Sequence, residues 1–342
     1  MRKILLTITS CILFFSVHAQ TLGGNAVFNF LKVSNSPQLT ALGGINVSQI
    51  TNDISMSYHN PALLRASMHG HVAANFNSIP GAINNFQLQT GYHLQKAATS
   101  LALGINYFDY GSIPQTDVSG NQLGEFRPRD YAIQVSASRS YGNSLVYGVT
   151  LKFINSNYGI YRSSGIALDV ALTYSDSALL LQAGLVIKNM GVQLKSYTGS
   201  EKSDLPFDFQ VGISKKLEKA PIQFSLTLHH LHRFNIRYDD STFDSDMGVG
   251  EDRGNSYLFD KLFRHVVFAT QLFIADKIEI SAGYNYLRRK ELRIGNAGNG
   301  LNGFSIGVGA ILKKLQIRYG RTYFQNNRAN NQIGLGFSFA HF

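Results

Sequence analysis

Three stretches of the 342-residue chain carry side chains that could do chemistry. Gly303-Phe304-Ser305-Ile306-Gly307 has the G-x-S-x-G spacing of a hydrolase nucleophile. That chemistry needs a sharp strand-to-helix elbow that lifts the serine above a sheet. Ser305 instead falls in mid-strand, between Phe304 and Ile306 on the opposite face, so no nucleophile is expected there. His229-His230-Leu231-His232 offers imidazoles for a metal ion. On an extended strand only His230 and His232 share a face, and no clustered acid completes a ligand set. A lumen or rim position is the plainer expectation, without a metal. Asp239-Asp240-Ser241-Thr242-Phe243-Asp244-Ser245-Asp246-Met247-Gly248 has enough carboxylate for calcium. It lacks the third alternating acid and the terminal glutamate of an EF-hand loop, so a solvated, partner-facing loop fits better. No catalytic residue and no cofactor emerge. The chain reads as a non-enzyme.

The elements that must position these residues are strands of an exported membrane protein. Met1-Arg2-Lys3 precedes an apolar run from Ile4 to Val17 and the closing Val17-His18-Ala19, the pattern of a signal peptide over residues 1–19. Cys11, the one cysteine, lies in that run, so the mature chain is expected to hold no disulfide or thiolate site. From His69 onward, segments of about ten residues alternate apolar with small or polar. Val72, Ala74 and Phe76 begin the series; Phe86 to Tyr92, Leu101 to Tyr107, Tyr131 to Ala137, Leu145 to Phe153, Ile166 to Tyr174 and Leu179 to Ile187 continue it. Phe207 to Ile213 and Ile222 to Leu228 follow, then Val266 to Ile274, Ile278 to Tyr286, Phe304 to Leu312, Leu315 to Tyr319 and Ile333 to Phe339. These make an all-β fold, a transmembrane antiparallel barrel of about 14 strands over residues 69–342.

Loop lengths test that reading independently. Every second connection is short: Gln95–Ala98, Arg139–Asn143, Ser175–Ala178, Leu217–Ala220, Ala275–Lys277 and Lys313-Lys314. The others, Gly111–Phe126, Met190–Asp204, Asn235–Phe263, Arg288–Leu301 and Phe324–Asn331, are mostly much longer. An outer-membrane barrel with periplasmic turns and external loops sorts them this way; a soluble sandwich has no reason to. The terminal Phe342 and the aromatic runs at strand ends, such as Tyr107-Phe108-Asp109-Tyr110, agree.

Placed on that barrel, the long loops become candidate interaction surfaces. Asn235–Phe263 carries Phe243, Tyr257, Leu258, Phe259, Leu262 and Phe263, the last four spaced for one face of a short helix. That face either packs on the rim or forms a docking patch for a surface partner, with Met190–Asp204 and Arg288–Leu301 beside it. Arg288, Arg289, Lys290 and Arg293 are candidate lipopolysaccharide contacts, with plain loop solubility an alternative of equal weight. The net charge of +10 is better matched to lipid headgroups than to nucleic acid, which an exported protein would seldom meet. Residues 20–68 do not alternate. Their apolar content argues against a disordered tail, and they are expected to fold into the lumen as a plug. Within it, Asn60-Pro61-Ala62 predicts a tight turn against the wall, with the Asn60 side chain bonded to nearby backbone.

Tyr58-His59-Asn60-Pro61-Ala62, after a glycine pair and an acidic residue, resembles the amino-terminal region of the long-chain fatty-acid transporter-like barrels. The stretches Gly24 to Leu31, Ser36 to Gly44 and His59 to Leu63 are most similar to the PorQ family, members of that superfamily serving the type IX secretion system of Bacteroidetes. The resemblance covers essentially the whole mature chain. It implies a non-enzymatic role in the cell-surface attachment complex, with a PorZ-like protein held at the surface and PorU and PorV as further partners. Two alternatives come with the superfamily: transport of hydrophobic small molecules, or cargo shuttling of the PorV kind. A continuous apolar path with a lateral opening points to transport, and a lumen filled by its plug points to a scaffold.

Overall fold

The computed structural model describes residues 26–236, 255–275, 277–292, 300–324 and 328–339. The signal peptide, Phe243 with its acidic loop, Arg293 and Phe342 lie outside these residues. The strands are β1 (His71–Ile79), β2 (Ile83–Leu94), β3 (Thr99–Asp109), β4 (Ile113–Thr116), β5 (Gln122–Phe126) and β6 (Arg129–Tyr141). They continue as β7 (Leu145–Tyr158), β8 (Tyr161–Asp176), β9 (Leu181–Lys195), β10 (Asp208–Lys216) and β11 (Ile222–Leu228). The last five are β12 (Val266–Ile274), β13 (Ile278–Asn285), β14 (Phe304–Ile311), β15 (Leu315–Tyr323) and β16 (Ala329–Ser338). Fourteen of them close an antiparallel barrel in which β1 pairs with β16; β4 and β5 form a separate hairpin.

Alternation explains the closure. In β8, Ser163, Gly165, Ala167, Asp169, Ala171 and Thr173 are buried while Ile166, Leu168, Val170, Leu172 and Tyr174 are exposed. One face is polar or small and the other apolar, which suits a lumen on one side and lipid on the other. Closing the sheet leaves no strand edge with unpaired amides in hydrocarbon. No helix among the described residues is long and apolar enough to cross a membrane. The strands make the crossing.

Three boundaries differ most from the sequence reading. The segment Met190–Lys195 belongs to β9, so the connection to β10 is shorter than Met190–Asp204. The Gly111–Phe126 loop contains the β4–β5 hairpin, whose short strands carry too little alternation to announce themselves. The basic segment after β13 begins with a helix, α3 (Tyr286–Glu291), rather than a loop; α1 (Pro37–Ala41) and α2 (Asn255–Phe263) precede it in the chain.

Residues 26–68 run inside the barrel. Side chains from around the wall meet them: Asn75 of β1, Gln89 of β2, Gln134 of β6, Ser214 of β10, Ser225 of β11 and Ser305 of β14. A segment outside the barrel could not touch all of these inward faces at once. Local rules shape it. Ser36 caps α1 and Pro37 occupies its first turn, where a missing amide hydrogen costs nothing. Gly43 and Gly44 then turn the chain with φ of +90° and +85°, which side chains rarely adopt. Its apolar residues form their own cores. Leu39, Leu42, Met56 and Leu63 pack together against Ala269, and Val27, Phe28, Phe30 and Leu31 pack on Phe108, Ile154 and Leu205 near the long-loop rim.

Candidate functional site

The plug is anchored where Asn60-Pro61-Ala62 was expected to turn. Asn60 Oδ1 accepts from the Ala62 amide at 2.9 Å, capping the 3₁₀ turn Pro61–Leu63. Its Nδ2 donates to the Val47 carbonyl at 2.7 Å, so one buried side chain satisfies two backbone groups. The turn lies against Gly148 of β7, where a Cβ would stand 2.6 Å from the carbonyl carbon of Pro61. Only glycine lets the two backbones approach this closely.

A charged layer lies nearer the long-loop rim. Lys152 Nζ and Asp169 Oδ2 are 2.6 Å apart, and both side chains are almost fully buried. Opposite Asp169, β9 carries a bulge: the pairing skips from Leu168–Met190 to Val170–Ile187, and Asn189 has a φ of +57°. The extra residue brings both Lys188 and Asn189 to the lumen side. Asn189 accepts from Lys152 at 3.0 Å, and its amide donates to Asp169 Oδ1 at 2.8 Å, completing the network. Lys188 Nζ sits 3.0 Å from Nδ1 of the plug residue His59. Burial, reinforced by the Lys188 and Lys152 cations, holds His59 well below the usual imidazole range, so it is neutral at pH 7. A pouch of about 70 Å³ opens here, lined among others by Leu31, Lys32, His59, Lys188, Asp208 and His230. It has room for a few water molecules.

The histidines at the end of β11 depart from the strand geometry expected of them. His229 continues the inward series, but His230 adopts a φ of +55°. That left-handed turn breaks the alternation, so the adjacent rings of His229 and His230 meet, their Nδ1 atoms in contact. An acid does complete the set. Asp208, the first residue of β10, groups with both rings, and its Oδ1 accepts the His230 amide at 2.7 Å. His232, the expected companion of His230, is exposed and packs edge-on against Phe207. Burial lowers His229 to about 3 and lowers His230 in the same direction. Both rings are therefore neutral.

On the outer side of that rim, α2 presents the apolar residues that the sequence placed on one helix face. Leu258 and Phe259 are 54 % and 61 % exposed, and Leu262 and Phe263 about equally so. Phe263 rests beside the Tyr286 ring, 5.9 Å between centroids, and the helix is otherwise held by its polar side. Asp260 pairs with Arg264 at 2.8 Å and Lys290 at 3.0 Å, and accepts from the Tyr286 hydroxyl at 2.7 Å. Burial pushes Asp260 up, but the hydrogen bonds from Tyr286, Arg264 and Lys290 outweigh it and bring the carboxyl down to about 2. Tyr257 lies in the same helix.

The basic cluster is divided by α3. Asn285 caps that helix by accepting the Arg288 amide at 3.0 Å. The cap aims Arg288 inward, where its guanidinium lies over Gly44 of the plug with Nη1 buried and unpartnered among the described residues. Arg288 is therefore no outer-surface contact, which corrects that part of the lipopolysaccharide expectation. Arg289 reaches the Tyr284 hydroxyl at 3.3 Å, and Lys290 lies over the Tyr286 ring beside Asp260. Ser305 is fully buried in β14 and tied to the plug. Its hydroxyl donates to the Ala41 carbonyl and accepts from the Gly43 amide, each at 3.0 Å.

The barrel, its lipid-facing apolar band and its folded plug define a membrane β-barrel protein of the outer-membrane type, similar in fold to a monoaromatic hydrocarbon channel. No family model and no curated protein matches the chain. Among solved structures, the deltaS2 mutant of the TodX monoaromatic hydrocarbon channel superposes with a TM-score of 0.51 at 11 % identity, covering 89 % of this chain and 98 % of that one. The TodX deltaS2S3 mutant gives 0.51 at 12 % identity, over 88 % and 97 %. At that identity the likeness is one of fold.

Proposed function

We propose that this protein is a non-enzymatic scaffold of a PorQ-like type, a plug-filled barrel that holds a PorZ-like secreted protein at the cell surface through its long loops. One observation carries the reading: the plug is bonded around the inner wall, so the partner-facing chemistry lies on the rim rather than in a pore. The exposed apolar face of α2 and the protruding Val118 and Leu123 at the β4–β5 hairpin support it. Soluble rims seldom leave such residues without a partner. PorU and PorV are further partners in this reading, and lipopolysaccharide contacts Arg289 and Lys290. Affinity purification of the full-length protein from its native membrane tests it. Recovery of a PorZ-like protein in stoichiometric amount supports the scaffold, and its absence under mild detergent overturns it.

A second reading, passage of hydrophobic small molecules, is favoured by the shared fold with the TodX channel and by the pouch beneath the rim. Uptake of a monoaromatic hydrocarbon into cells carrying the barrel, above that of cells without it, would favour this second role.

A further inference from the structure

We propose that Asp208, His229 and His230 form a binding site for one divalent transition-metal ion at the long-loop mouth of the barrel. Each residue offers one ligand atom, and these atoms lie within 4.8 Å of one another. Small side-chain rotations bring such a set onto one ion, whose bonds to imidazole nitrogen and carboxylate oxygen run about 2.0–2.2 Å.

Neighbouring strand residues point to opposite faces, so two adjacent histidines should not meet. They meet here because His230 takes a φ of +55°, a conformation uncommon for a residue with a side chain. Such outliers persist only where the surroundings hold them, and they gather at functional sites. The surroundings do hold this one. Asp208 Oδ1 accepts the His230 amide at 2.7 Å, and Gln210 Nε2 donates to Asp208 Oδ2 at 2.5 Å. On the other side, the His229 amide donates to the His265 carbonyl at 3.0 Å, and His265 Nδ1 lies 2.7 Å from the His229 carbonyl. The donor-bearing backbone is thus fixed from both β10 and the residue that precedes β12.

His229 is fully buried, yet its Nε2 has no hydrogen-bond partner among the described residues. A buried polar atom without a partner is costly and calls for a reason. Ligation of the ion through Nε2 supplies one. Two imidazoles and one carboxylate suit zinc, nickel, cobalt or copper(II) better than magnesium or calcium, which prefer all-oxygen shells. Asp208 and His230 also line the pouch that holds Lys32, so an ion held there would border a cavity with room for water or a small anion.

The test uses untagged full-length mature protein in detergent, stripped with chelator and titrated with Zn²⁺ by calorimetry. One ion per chain is expected. His229→Gln and His230→Gln should each weaken binding by about tenfold or more, whereas His232→Gln should stay within about twofold of the parent. Unsaturable binding, His230→Gln behaving as the parent, or His232→Gln losing as much affinity would each overturn the site. X-ray absorption of the unmutated zinc-loaded protein needs no variant: imidazole scattering around zinc is expected, and an oxygen-only shell contradicts the proposal.

Discussion

The two faces of the same strands obey different rules. On the outside, Leu88, Leu103, Val135 and Leu151 meet lipid, and any apolar side chain of similar size serves. On the inside, Gln89, Gln134, Ser138 and Ser214 each meet a particular atom of the plug. A fluid solvent forgives a change of shape, and a folded chain packed to interior density does not. The inward face therefore carries the specification of this barrel, and substitutions should separate the two faces sharply.

The largest difference is expected at adjacent residues of β8. Replacing Asp169 with Ala strands Lys152 without its partner in the lumen and removes the acceptor of the Asn189 amide, at a cost of about 3–5 kcal/mol. Leu168→Val, one residue away on the lipid face, should cost less than about 1.5 kcal/mol. Urea titration of the heat-modifiable folded band measures both. Equal losses would erase the distinction between faces. Next comes Gly148→Val, which drives a side chain into the Pro61 backbone and should cost about 1–3 kcal/mol while loosening the plug. Protease cleavage within residues 26–68 of the folded barrel is the readout.

Asn60→Ala should cost about 1–2 kcal/mol, since it removes the cap on Ala62 and the bond to Val47 together. An unchanged unfolding midpoint would mean that water replaces both bonds freely. The smallest effect belongs to the rim and depends on pH. Asp260 is depressed in the folded state, so its contribution is whole above the ordinary carboxylate value and is lost as pH falls through about 2. Pepsin cleavage at Leu258-Phe259 should thus rise between about pH 4 and pH 2. Cleavage that stays flat across that window would remove Asp260 as the tether of α2.

The sequence disclosed what periodicity encodes. All fourteen barrel strands follow from alternation, and the long connections gather at one rim, although the β1–β2 and β7–β8 turns at that rim are short. The Asn60-Pro61 turn was legible because both residues act on their own local backbone. What stayed hidden depends on departures from a regular strand. Nothing in Ile187-Lys188-Asn189-Met190 announces a bulge; asparagine tolerates a positive φ, but so do many asparagines outside bulges. The same applies to His230, whose left-handed turn brings together two rings that a regular strand keeps apart, and to Asp208, which is remote in sequence from both. Arg288 misled for a related reason. Its charge suggests the surface, while the Asn285 cap of α3 decides where it points.

In the proposed scaffold, docking at the rim rather than in the lumen depends most directly on α2. Leu258→Ser with Phe259→Ser removes two exposed apolar side chains without touching Asp260, which fastens the helix to α3. The measurement is retention of the proposed PorZ-like partner on intact cells, with barrel insertion checked by heat-modifiable migration. Loss of the partner with normal insertion is the expected result. A partner retained at the parental level by correctly inserted double variant would contradict a docking role for α2.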